Sequence, residues 1–180
     1  MRAREMAHTF SFLFCLAGCT SAHEPVAVES GLYDLTISGE RDACSPARAT
    51  GAMGIVAVVS ADDVLSVAVP DLTGEAMRVS LSRSSGFHVE LSEDVPTCTG
   101  ATLLRAYTAV ARAGGGFDVL YREDWSGLST CGTAMHSIVP AAPSADCRAD
   151  LVLGYRLDAT CAAPCELRVG TDGTAACACR

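Results

Sequence analysis

The chain has 180 residues, 49% hydrophobic and 19% charged, a balance that excludes a disordered chain and suits one packed domain. Its formal charge is −8, which excludes a surface built to hold phosphate backbones or anionic head groups, so nucleic acid is not an expected partner. All thirteen basic residues are arginine, and with no Asn in the chain glycine and aspartate must make the tight turns.

In chain order, Arg2 and Arg4 open the sequence and an apolar run follows from Phe10 to Leu16. That run is too short to span a bilayer, which needs roughly 20 apolar residues, and it has the pattern of a secretory signal peptide. It ends in Leu16-Ala17-Gly18-Cys19, which resembles the lipobox of bacterial lipoproteins at all four positions. The resemblance implies cleavage before Cys19 and lipid attachment to that cysteine. Residues 1–18 are then the signal peptide, 19–30 a lipidated tether and 31–180 a single β-domain. The mature part has 162 residues and, without Arg2, Arg4 and Glu5, a charge of −9. Thr20, not an aspartate, follows Cys19, which resembles the pattern of lipoproteins sent to the outer membrane. The expected location is the bacterial cell envelope, at the outer membrane, with the lipid supplying the attachment that charge opposes. Residues 20–30 reach at most about 35–40 Å when extended, and His23 within them is expected to be solvated.

From residue 31 the chain reads as strands. Tyr33, Leu35 and Ile37 fall on one face; Ile55–Val59 is a continuous apolar run, as in a strand buried on both sides. Leu65-Val67-Val69, Met77-Val79-Leu81, Phe87-Val89-Leu91, Phe117-Val119-Tyr121 and Leu151-Leu153-Tyr155-Leu157 each alternate with smaller or polar residues. A period of two marks strands with one packed and one wet face. Turn residues separate them at Ala61-Asp62-Asp63, Asp71–Gly74, Ser84-Ser85-Gly86, Gly114-Gly115-Gly116 and Gly170–Gly173. Residues 101–112 fit either a helix, with Leu103, Leu104, Tyr107 and Val110 at helical spacing, or the first arm of a hairpin, and the strand is favoured. The expected fold is all-β: a disulfide-rich antiparallel barrel of eight to ten strands, with a sandwich as the alternative. Gly31-x-Tyr33 leading into an alternating strand faintly resembles lipocalin-like barrels; the C-terminal cysteine hairpins depart from that family, and no ligand site is carried over.

Cys15 leaves with the signal and Cys19 would carry lipid. Cys44, Cys98, Cys131, Cys147, Cys161, Cys165, Cys177 and Cys179 remain, an even set that reads as a disulfide framework in an exported protein. Five of them lie in the hairpins of 147–180. Cys161-x3-Cys165 with Cys177-x-Cys179 also has the makings of a zinc site, but an oxidising compartment favours bridges. A turn at Thr171-Asp172-Gly173 would place strands 165–170 and 174–179 antiparallel. The first register sets Cys165 against Cys177 and is slightly preferred; a shift of two sets it against Cys179. Cys161 takes the remaining partner.

Catalytic spacing is absent. No nucleophile elbow, zinc-protease helix, phosphate loop or dinucleotide turn occurs, and Gly114–Gly116 reads as a hairpin turn. His88-x-Glu90 puts an imidazole and a carboxylate on one strand face, His136 has no partner visible in the sequence, and Trp125 lies in Asp124-Trp125-Ser126-Gly127 after a strand as a candidate ligand-binding residue. The favoured function is a non-catalytic binding or interaction module without metal or cofactor, whose partner is a small apolar molecule or a protein. A purely structural envelope protein is the alternative, and a hydrolase or metal enzyme with dispersed residues is less favoured. The barrel interior discriminates: a hollow one marks a ligand binder, a filled one a structural role, and a histidine beside a buried carboxylate or serine an enzyme.

Overall fold

Strict alternation of inward and outward side chains produces eight long strands that hydrogen-bond into one antiparallel sheet. A computed structural model describes residues 26, 28–70, 76–96, 98–112, 115–132, 135–139, 142–161, 165–169 and 175–179. The strands are β1 (Gly31–Asp42), β2 (Gly51–Ala61), β3 (Val64–Pro70), β4 (Ala76–Ser82), β5 (His88–Asp94), β6 (Thr102–Ala111), β7 (Phe117–Ser126) and β8 (Cys147–Thr160). Their order is β4-β3-β2-β1-β8-β7-β6-β5. Every neighbour but one is consecutive in sequence; the exception, β1 with β8, curls the meander into a nearly closed barrel. Its seam lies between β4 and β5, which share a 3-10 turn at Arg83–Ser85 and a hydrogen bond from the Phe87 amide to the Ser82 carbonyl (2.7 Å).

Residues 101–112 take the strand, not the helix. As β6 they pair with β7 along their whole length, with Leu103, Tyr107 and Ala109 opposite Trp125, Tyr121 and Val119. Long-range pairing on a buried face outweighs the helical lean of the alanines and leucines. The β6–β7 turn demands glycine at Gly116: its φ is +83°, and a Cβ there would lie 2.1 Å from the Tyr155 carbonyl oxygen.

Aromatic side chains fill the barrel. Phe117 and Tyr155, opposite one another on β7 and β8, stack at 4.6 Å between ring centroids; Tyr107 and Tyr121 stack at 4.9 Å, and Tyr33 meets Phe117 edge-on at 5.6 Å. The Tyr155 hydroxyl donates across the lumen to the Ala68 carbonyl on β3 (2.6 Å). Around these rings pack Leu35, Val58, Leu65, Val67, Leu81, Val119 and Leu153, all buried. The run at Ile55–Val59 is enclosed on both sides only in part. Val58 points inward and is buried, and Ala57 points outward yet is buried, on the flank where the C-terminal hairpin lies, whereas Ile55 is exposed.

One end of the barrel carries a cap. Cys44, Val95, Cys98, Ala101, Leu103, Trp125, Leu128, Met135, Val139, Ala142 and Ala149 form a second buried cluster there, joined by a single helical turn, α1 (Met135–Ile138). Disulfides Cys44–Cys147 and Cys98–Cys131 staple this end, the first binding the loop after β1 to the start of β8. At the opposite end Cys161–Cys177 ties β8 to a hairpin of β9 (Cys165–Val169) and β10 (Ala175–Cys179), which lies against β1 and β2. The Cys161–Cys177 bridge removes two thiols from the alternative zinc set. The hairpin register corrects the preferred one: Cys179 is the partner of Cys165, and Cys177 is opposite Leu167. The pairing is centred one residue later in the chain than the preferred register required, which moves every partner by two. The turn itself and the side chains of Cys165 and Cys179 lie outside the described residues.

Residues 26 and 28–30, expected to belong to the tether, pack onto the barrel. Val26 is buried and Val28 packs against the barrel core, the Tyr33 hydroxyl donates to the Glu29 carbonyl (2.8 Å), and the Ser30 hydroxyl exchanges hydrogen bonds with Ser60. Residues 1–25, including the lipobox, Cys19 and His23, lie outside the described residues.

Candidate functional site

Two polar constellations stand out, one inside the capped end and one on the outer face. The inner one follows from phase. Along β7 the inward positions are Phe117, Val119, Tyr121, Glu123 and Trp125, so a carboxylate falls on the core side between two aromatics. Glu123 is buried and accepts hydrogen bonds from the Tyr121 hydroxyl (2.7 Å), the Trp125 indole N–H and the Arg48 guanidinium. Arg48 arrives from the 43–50 loop, which Asp42 folds by accepting the Cys44 amide (2.9 Å) and the Arg48 amide (2.5 Å). Its guanidinium also lies over the Trp125 ring, 5.9 Å from the centroid. With both carboxylate oxygens engaged, the buried charge is satisfied as such a charge must be.

On β6 the same phase puts Arg105 inward, opposite Glu123. Arg105 is buried, pairs with Glu93 of β5 and donates to the Met77 sulfur of β4 (3.2 Å), so one side chain links both strands that flank the seam. Burial works against its charge, but the Glu93 hydrogen bond and neighbouring charges more than offset this and raise its pKa. Burial, then the Glu123 charge, pushes the Tyr121 phenol far above its ordinary value. Burial likewise raises Tyr107 and Tyr155, and raises Tyr33 with help from Glu29. Glu123 and Arg105 are buried, whereas Glu93 stays about half exposed at the edge of the cluster, which ties the 43–50 loop to β7 and β6 to both strands at the seam.

The outer constellation is open. A groove of about 510 Å³ crosses the outside of β5 to β8 and reaches the end of β1. Ala106 forms its floor, because a small residue stands where its neighbours on both sides, Glu90 and Arg122, are long. His88, Glu90, Thr108 and Leu120 line one part; Arg41, Arg122, Arg148 and Asp150 line the other. Arg148 donates to Asp150 (2.8 and 3.0 Å), and Arg122 lies 3.5 Å from the same carboxylate. The Arg148 hydrogen bond is the main reason that the Asp150 carboxyl stays below its usual range. Leu120 remains 43% exposed amid these charges.

The residues singled out from sequence disperse. His88 and Glu90 both face the groove, with the His88 Nε2 3.6 Å from the Glu90 carboxylate and Nδ1 2.8 Å from the Thr108 hydroxyl. That histidine is half-exposed, and its partners are an exposed carboxylate and a threonine, not the buried carboxylate or serine that would mark a catalytic base. His136 is exposed on α1, away from the groove. Trp125 is 3% exposed, sealed in the cap with its N–H committed to Glu123. Among the described residues no three His, Cys, Asp or Glu side chains converge as a metal site requires. Sequence reasoning missed Glu123, Arg105 and Arg48. The signal for the first two was present: each interrupts the apolar phase of its own strand.

No family model, curated protein or solved structure matches this chain.

Proposed function

We propose that this chain is a lipoprotein of the bacterial cell envelope, acylated at Cys19 and directed to the outer membrane, that serves as a non-catalytic interaction module. The lipobox and the basic start support the anchoring; the even set of cysteines suits an oxidising compartment. The observation that carries the interaction reading is the contrast between lumen and surface. The lumen is packed with aromatic rings, which supports a partner outside the barrel over a small apolar ligand within it. The groove on β5 to β8 is large and offers both signs of charge around an exposed leucine, the mixed chemistry of a protein-binding rim. The partner is accordingly a protein that meets the outside of the barrel.

The filled lumen also favours the second reading, a purely structural envelope protein. A photo-crosslinking side chain placed at Leu120 in living cells separates the two. The interaction reading expects one discrete adduct from Leu120, none from Ser80 on the outer face of β4, and a weaker adduct when Arg122→Glu is added. No adduct at Leu120, or equal labelling at both positions, supports the structural reading instead.

A further inference from the structure

The anchored end of the molecule is decided by where the chain enters the barrel. Val26 belongs to the barrel core, and Val28 packs beside it. Together with Leu65, Phe87 and the β2–β3 turn at Asp62 they line a small recess of about 210 Å³ at one mouth. The same mouth carries the Arg83–Ser85 turn and the β6–β7 turn at Gly115 and Gly116. The disulfide-stapled cap stands at the other end. The chain therefore leaves the barrel through an end and not from a flank.

We propose that this mouth faces the lipid surface and that the cap points away from it, an orientation that rests on the acylation of Cys19. Seven Cα steps separate Cys19 from Val26, a reach of about 25 Å when fully extended. Ten-residue strands tilted as barrels require span about 25 Å along the axis, and the cap loops add to that. An inverted barrel would thus hold Val26 farther from the bilayer than its tether reaches. With the mouth down, Val26 lies within the reach of seven residues from the bilayer surface. The cap and the Glu40–Arg41 lip of the groove then face outward, where a partner meets them.

The test uses the acylated protein in lipid nanodiscs doped with a gadolinium-chelating head-group lipid, read by amide NMR. Amides of Asp62–Asp63, Ser84–Gly86 and Gly115–Gly116 are expected to lose most of their intensity, and those of Gly100, Gly127 and Leu128 to keep theirs. Loss at the cap amides, or along one flank from mouth to cap, in disc-bound protein overturns the orientation alone. Acylated protein that stays off the discs overturns the anchoring and the orientation together.

Discussion

Glu123 shows how much of the capped end hangs on a single side chain. Its carboxylate gathers donors from a loop arginine, a phenol and an indole in a site closed to water. Replacing it with glutamine keeps the volume but removes the negative charge from the centre of this hydrogen-bonded cluster. Removing one partner of a buried pair costs about 3–5 kcal/mol. Glu123→Gln should therefore lower the urea midpoint of unfolding by a corresponding amount, and a loss below about 1 kcal/mol, the scale of an exposed pair, would mean that the cluster is wet. The tyrosines give a second expectation at this scale. All four in the chain are buried with pKa values raised above their ordinary one. A raised folded-state pKa means that the neutral phenols contribute stability that is complete below the unfolded value of about 10 and is lost as pH rises beyond it. Phenolate absorbance should stay flat until the barrel unfolds in alkali and then rise in a single step for all four. Gradual titration of native protein would contradict this. Sequence phase already marked Glu123 and Arg105 as intruders on the inner face. Arg48 could not be found that way, because a loop residue has no phase, and only the fold of 43–50 aims it inward.

At the scale of elements, the period of two located six of the eight barrel strands, a continuous apolar run located β2, and Gly86, Gly115 and Gly116 marked turns. Residues 101–112 stayed ambiguous because both periods fit their apolar set, and only the partner strand β7 decides between them. The C-terminal hairpin shows the opposite limit. A turn sequence with Gly170 and Gly173 can centre the pairing on Thr171 or on Asp172, and that one-residue choice moves every cross-strand partner by two. With Cys165 opposite Cys179 and Cys177 already joined to Cys161, a fourth bridge between Cys165 and Cys179 is expected. Peptide mapping of protein purified without reductant should recover that pair, and the intact mass should be lower by eight hydrogens than that of the reduced chain. Two free thiols at these positions, or stoichiometric zinc, would show that the end of the hairpin is not closed by a disulfide.

For the whole molecule, the barrel was legible because consecutive strands joined by short turns favour a meander, and an eight-stranded meander with one filled face closes most readily on itself. Its seam and its cap were not legible. The seam arises where β4 and β5 part after one hydrogen bond, and the cap depends on disulfides whose pairing spacing alone does not reveal. The groove was equally hidden, since its residues come from five strands that lie far apart in the sequence, from Glu40 to Leu151. What unites these features is a domain stapled at both ends, with a packed lumen and its only proposed attachment at the N-terminus. Cells expressing the full chain, or the chain with Cys19→Ala, can be fed labelled palmitate and the purified protein counted. Acylation at Cys19 predicts label on the parent protein, none on the variant, and loss of the variant from the membrane fraction. Label incorporated equally by both would contradict it.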